Sequence, residues 1–262
     1  MILDNIIAHR KKDVEERKKI ISEEGLYKKV EEKSVYKLKD MKGNTGFREA
    51  LGEKGFNIIG EVKKASPSKG IIVEDFNVGE IARFYDKLPV KAISVLTEEK
   101  YFQGHPDYVA CVRSMTSKPI LRKDFIVDRY QIYETFLMGC QGILLIAAVL
   151  GDKLGEYYKT SLELGIEPLV EVHDEKEMYN ALKCGSRIIG INNRNLQTFE
   201  VDLGTTERLV KLVQGETIII SESGIRNEQD ISYLKSLNVN GALIGETFML
   251  AMKEGKKLEG FF

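Results

Sequence analysis

Gly60-Glu61-Val62-Lys63-Lys64-Ala65-Ser66-Pro67-Ser68-Lys69-Gly70 is a stretch in which an apolar run turns polar while still reading as a strand. It continues Asn57-Ile58-Ile59. Strand side chains alternate between faces, so Ile59, Glu61 and Lys63 share one side. A carboxylate and an ammonium at the mouth of a buried strand are costly unless paired or used. A structural ion pair and a working site both meet that condition. The loop 65–70 is small and polar, stiffened by Pro67 and released by Gly70.

The rest of the chain sets the context. Strand candidates at 57–63, 92–97, 119–124, 142–148, 167–172, 188–193, 217–222 and 241–246 start roughly 21–35 residues apart. They are continuous apolar runs, the pattern of parallel strands buried on both faces. Amphipathic segments lie between them. Val78, Ile81, Ala82 and Tyr85 recur at helical spacing; Leu154, Tyr157, Tyr158 and Leu162 nearly do; Ile231, Leu234 and Leu237 form a narrower stripe. Gly139, Gly165 and Gly185 stand where helices should end. The reading is α/β: one domain over residues 1–262, with a (β/α)8 TIM barrel at 57–262 and an N-terminal helical extension at 1–50. Alternation by itself leaves a doubly wound open sheet as the alternative, although no G-x-G-x-x-G follows the first strand. Within the extension, 1–21 reads as a helix with Leu3, Ile6 and Ile7 on one face. Val14 and Ile20-Ile21 continue a broken stripe. Residues 22–46 read as irregular, with Tyr27, Val30, Val35, Tyr36 and Leu38 as sparse anchors, and 47–51 as a short helix.

Composition narrows the class. Lys and Arg number 39 against 40 Asp and Glu, a net charge of −1, so no global field argues for nucleic acid or an anionic membrane. No apolar run reaches the ~18 residues that span a bilayer. Arg10, Lys11, Lys12 and Asp13 break up any secretory signal. Cys111, Cys140 and Cys184 have no C-x-x-C spacing and read as small buried thiols of a reducing compartment. His9, His105 and His173 make no ligand pattern. The expectation is a cytoplasmic enzyme or binding protein with no metal. The chain ends soon after the eighth strand, so no fused second enzyme is expected.

A barrel of this kind gathers functional groups at the C-terminal ends of its strands. Polar residues concentrate there: Glu61 and Lys63; Lys123 and Asp124; Glu171 and His173; Asn192 and Arg194; Glu222 and Ser223; Glu246. Parity aims Glu61, Lys63, Lys123, Glu171 and Asn192 inward. Ser223-Gly224 and Gly245-Glu246 put small residues where backbone N–H groups can approach an anion, the common phosphate position after strands seven and eight. Glu246 fits only if its side chain turns away. Phe102, Phe125, Leu144 and Leu196 flank the charged set; the two phenylalanines lie in loops and suit a flat aromatic ligand.

The runs 61–70, 94–104, 121–125, 169–174, 190–196, 221–225 and 243–246, in this order, resemble indole-3-glycerol-phosphate synthase. The likeness runs from the N-terminal helix to the last strand. It implies a TIM barrel whose extension covers the active-site end. The implied reaction is the ring-closing step of tryptophan biosynthesis, a carboxy-lyase step with no metal or organic cofactor. It converts 1-(2-carboxyphenylamino)-1-deoxyribulose 5-phosphate into indole-3-glycerol phosphate, releasing CO2 and water. By the same resemblance Lys123 is the general acid. Its pKa is expected to be lowered by burial or by Lys63. Lys63, Ser66 and Arg194 hold the substrate carboxylate. Glu171 and Glu61 are the acidic residues of the dehydration, with the base open between them. Asn192, Glu222 and Ser223 orient hydroxyls. Ser223, Gly224, Gly245 and Glu246 cradle phosphate, and Phe102, Phe125, Leu144 and Leu196 enclose the anthranilate ring. The partner is then a small phosphorylated molecule, and the chain is expected as a monomer, with a homodimer as the alternative. Two rival readings are a phosphosugar isomerase on the same fold, such as phosphoribosylanthranilate isomerase, and a catalytically silent phosphate-binding module. The extension and Glu61-x-Lys63 oppose the first. The acid–base set opposes the second.

Overall fold

The eight apolar runs become eight parallel strands: β1 (Asn57–Val62), β2 (Ala92–Leu96), β3 (Ile120–Lys123), β4 (Gly142–Ile146), β5 (Glu167–Val172), β6 (Ile188–Asn192), β7 (Ile218–Glu222) and β8 (Gly241–Ile244). The computed structural model describes residues 2–40 and 46–262, and of residues 35–40 the backbone alone. Each strand pairs with the next, and β8 returns to β1, so Ile59 faces Ala92 on one side and Leu243 on the other. The sheet is therefore a closed barrel, which removes the open doubly wound alternative. Several strands stop a residue or two before the expected limits, where their polar ends turn into loops.

The pleat sorts the side chains. Ile59, Ala92, Leu121, Leu144, Leu169, Ile188, Ile220 and Leu243 face the barrel axis and pack with Phe47 and Leu51. Those last two come from the short helix α3 (Phe47–Leu51), which closes the N-terminal end of the barrel. Gly142 makes room for the plug: a Cβ there would stand 3.0 Å from the Phe47 ring. Asn57 fastens α3 to β1 by donating to Leu51 O at 2.9 Å and Glu53 O at 2.8 Å. The outward residues pack under the helical ring in a second core.

The extension departs from expectation. α1 (Ile2–Ile20) forms as expected, but its buried face is Ile6, Arg10 and Val14, with an arginine in a core position. Ile20, assigned to the apolar stripe, is 82% exposed. The segment read as irregular is mostly a helix, α2 (Glu23–Asp40). Its one-turn spacing of Leu26 and Val30, both buried, is too sparse for a periodicity argument. What fixes it is packing on the helix Tyr130–Met138: Lys33 donates to Leu137 O at 2.6 Å, and the Tyr27 ring meets that of Tyr133 at 5.3 Å with a tilt of 58°. Val35, Tyr36 and Leu38 lie outside the described side chains. None of the three cysteines is in a disulfide; Cys140 is buried and Cys111 and Cys184 are half-buried. Among the described residues no helix is long and apolar enough to cross a membrane.

Candidate active site

A cavity of about 760 Å³ opens at the C-terminal ends of the strands. Every site residue named from the sequence lines it. Ile2, Leu3 and Ile6 of α1 line it too, so the extension contributes wall as well as cover.

Lys123 stands at the centre. Its Nζ is 3.3 Å from Glu222 Oε2, 3.6 Å from Glu171 Oε2 and 3.8 Å from Glu61 Oε1. These carboxylates come from β7, β5 and β1, and strand alternation aims them inward above the apolar layer. Glycines beside them admit them. A Cβ on Gly190 of β6 would strike Glu222 Oε1, and one on Gly245, just past β8, would strike Glu61 Oε2.

The expected lowering of the Lys123 pKa is not what the structure holds. Burial does oppose its charge, but Glu222, Glu171 and Glu61 together outweigh burial and raise the pKa. Lys63 is engaged elsewhere, 2.6 Å from Glu61 Oε2. The carboxylates differ among themselves. Burial pushes Glu222 up to about 7, helped by Glu171 and Glu61 and opposed by Lys123. Burial also opposes ionisation of Glu171, yet Lys123, His173 and Asn192 hold it down at about 2. Glu61 is likewise held low against burial, by Lys63 and Lys123. Neither buried oxygen of Glu222 takes a well-aligned hydrogen bond among the described residues. Such a carboxylate is suited to a proton or to a ligand.

His173, which makes no ligand pattern in the sequence, is part of the charged cluster. It lies between carboxylates, with Nδ1 3.0 Å from Glu177 Oε2 and Nε2 3.3 Å from Glu171 Oε1. Burial works against its charge, but the two glutamates push it up to about 10. The helix position of Glu177 relative to His173 was the available signal, an i, i+4 pair. Among the described residues no group of three or more His, Cys, Asp or Glu side chains is arranged to hold a metal ion.

Ser223 and Gly224 follow β7 with φ of 68° and 83°. Two successive left-handed residues turn consecutive N–H groups to one side, a concave anion seat. Gly224 has no alternative residue: a Cβ would strike Val201 Cγ1 at 2.3 Å. Gly245 is the N-cap of the helix Glu246–Glu254, which adds the positive end of a helix dipole at the same mouth. Glu246 and Lys69 of the β1 loop both line the cavity, and the Glu246 side chain is drawn to that lysine at 3.5 Å.

Opposite this end, Phe102 and Phe125 face each other with ring centroids 5.8 Å apart and planes tilted by 40°. Leu144 closes the floor between the strands and Leu196 is half-buried on the β6 loop. Asn192 Oδ1 accepts the Arg194 N–H at 3.0 Å, and the Arg194 guanidinium donates to Phe199 O at 3.2 Å. Ser66 lies in the β1 loop with its Oγ 3.4 Å from that of Ser68. The cavity thus has a left-handed turn beside a helix N-terminus at one end, two aromatic rings at the other and an ammonium among carboxylates between them. A phosphorylated, arene-bearing anion matches that order.

The family model for indole-3-glycerol phosphate synthase matches residues 3–261. A protein of that description from Thermoanaerobacter pseudethanolicus is 51% identical over 261 residues, covering 100% of this chain and 97% of the relative. One from Clostridium acetobutylicum is 47% identical over 261 residues, with the same 100% and 97% cover. Among solved structures, a 3-hexulose-6-phosphate synthase from Salmonella typhimurium superposes with a TM-score of 0.58 at 14% identity, over 75% of this chain and 92% of that one. An N-acetylmannosamine-6-phosphate 2-epimerase from Clostridium perfringens gives 0.56 at 15% identity, over 76% and 92%. At that identity the two structures speak for the barrel. The full-length matches speak for the chemistry: the chain belongs to the indole-3-glycerol phosphate synthase family and has its activity, a carboxy-lyase step of tryptophan biosynthesis.

Proposed function

We propose that the cavity residues divide the ring closure, decarboxylation and dehydration of 1-(2-carboxyphenylamino)-1-deoxyribulose 5-phosphate as follows. Phosphate sits on the N–H groups of Ser223, Gly224 and Gly245–Glu246. The arene lies among Phe102, Phe125, Leu144 and Leu196. Lys63, Ser66 and Arg194 hold the carboxylate until it leaves as CO2, and Arg offers it a bidentate grip. Asn192 and Glu222 orient the hydroxyls.

Lys123 then faces the ketone. As the aromatic carbon attacks, charge develops on the ketone oxygen, and an ammonium aimed there stabilises it and supplies the proton. The raised pKa of Lys123 suits this order of events. The lysine is fully charged at rest, and only a developing alkoxide is basic enough to take its proton. We assign the proton lost in dehydration to Glu171 or Glu61. The observation that carries the reading is Lys123 Nζ lying 3.3–3.8 Å from three inward carboxylates. Single-turnover measurements on Glu171→Gln and Glu61→Gln, following CO2 release and indole fluorescence separately, test it. The variant that releases CO2 at the parent rate while fluorescence lags has lost the dehydration base. If both variants slow CO2 release and fluorescence together, these roles are wrong.

The extension and barrel work as one domain, supported by Val14, Leu26 and Val30 joining the barrel's helical core. Cysteines outside any disulfide support a reducing, cytoplasmic compartment; we infer a monomer, which sedimentation tests.

A further inference from the structure

Asp124 follows Lys123 directly, borders the same cavity, and turns its buried carboxylate toward α1 and Arg122. It is 1% exposed. Its Oδ2 accepts from Arg10 at 2.6 Å, from Thr97 Oγ1 at 2.6 Å and from Arg122 at 3.0 Å. Its Oδ1 accepts from the Phe125 N–H at 2.8 Å. Thr97 also gives its own N–H to the Lys123 carbonyl at 3.0 Å. One carboxylate therefore gathers the end of β2, the β3 strand, the loop carrying the Phe125 ring, and α1.

Arg10 is the member from outside the barrel. It is 2% exposed, and its other amino group bonds Asp13 at 2.7 Å. Its Nε is buried without a hydrogen bond to the described residues. A buried arginine with an unmet N–H is not the cheapest way to dock a helix; an apolar residue would cost less. What the pair adds is direction, because charge-assisted bonds fix angle as well as distance. One turn away on the same face, Ile6 lines the cavity, with Leu3 and Ile2 beyond it.

We propose that Arg10 and Asp124 form a clasp through which the N-terminal helix sets the position of Lys123 and Phe125, making both positioning residues for the reaction. The clasp holds three things in register: the cavity wall on α1, the ring on the β3 loop and the ammonium on β3. An extension that served only as cover would need no ion pair to the residue beside the lysine. This inference uses the role of Lys123 argued above. It is distinguishable from that role because Arg10 variants keep Lys123 itself.

The test is steady-state kinetics on full-length Arg10→Ala and Arg10→Lys, each checked for folding by circular dichroism and melting. Arg10→Ala is expected to lower kcat at least tenfold at temperatures well below its melt, by more than any rise in KM. Arg10→Lys restores the charge and should recover most of that kcat. Asp124→Asn, which can keep the bond to the Phe125 N–H, should resemble Arg10→Ala. If Arg10→Ala does not stay folded, Arg10→Lys against Arg10→Met at reduced temperature gives the same comparison. A lowered melt with parent kcat would make the pair merely structural and overturn the proposal. So would a change confined to KM, or an Arg10→Lys that remains as slow as Arg10→Ala. Should Lys123 prove dispensable while Arg10→Ala is slow, the lysine's role fails and the clasp acts through Phe125.

Discussion

Arg122 and Lys123 are consecutive cations on one strand, and the fold treats them oppositely. Arg122 faces the helices and is fully buried. It donates to Thr97, the Gln131 carbonyl, Glu134, Thr135 and Asp124. Lys123 faces the barrel and is 15% exposed. Its three carboxylate neighbours stand at 3.3–3.8 Å, and among the described residues Glu222 takes no well-aligned hydrogen bond. The first network is closed: its geometry is complete without a ligand. The second is open, with charge held ready and hydrogen-bonding capacity unspent. Burying polar groups without full satisfaction costs stability, so where a fold tolerates it, the groups are kept for something that arrives later.

Loss of the two cations should separate these roles most sharply. Lys123→Ala is expected to lower kcat by ~10²–10⁴, the range for a general acid or base, with little change in melting. Lys123→Arg should not restore it, because an arginine keeps charge but does not release a proton near neutrality. Single-turnover rates and thermal melts on the same samples decide this; a normal melt with near-parent turnover would refute the catalytic role.

Arg122→Met should do the reverse. It strips a buried arginine from Asp124, which keeps Arg10 at 2.6 Å, and from Glu134, which keeps Arg17 at 2.6 Å, so the loss should stay below the about 3–5 kcal/mol of a buried pair broken outright. Urea unfolding measures that loss. Its kcat, taken below the melt, should fall less than that of Lys123→Ala. Equal losses of turnover in the two variants would erase the contrast between open and closed networks.

A smaller effect concerns pH. Glu222 is pushed up to about 7, against an ordinary glutamate near ~4.3. Between those values the folded state binds more protons than the unfolded state. Stability from this group is therefore present below the lower value and is lost as pH rises through about 7. Glu222→Gln should flatten that part of the stability profile, by an amount on the order of a few kcal/mol or less. Unfolding free energies from pH 4 to 8 give the answer, and an unchanged slope would place Glu222 in the closed class with Arg122.

The smallest effect should come at the anion seat. Sulfate soaked into crystals is expected on the N–H groups of Gly224 and Gly245–Glu246, where a left-handed pair meets a helix N-terminus. Ordered sulfate elsewhere on the barrel and none here would remove the seat.

The sequence determined the order of the barrel strands and which polar residues stand at their C-terminal ends. Apolar runs at regular spacing specify parallel strands, and strand parity aims Glu61, Lys63, Lys123, Glu171 and Asn192 inward. Those are local properties, written in neighbouring residues. It did not determine α2, whose two buried residues become a helix face only against the helix Tyr130–Met138. Nor did it reveal Arg10, which read as an interruption in an apolar segment and is a core residue because Asp124 waits 114 positions away. The sign of the Lys123 shift was beyond it as well. Whether a buried lysine loses or gains proton affinity depends on which charges stand within a few ångströms, and three separate strands had to bring them there.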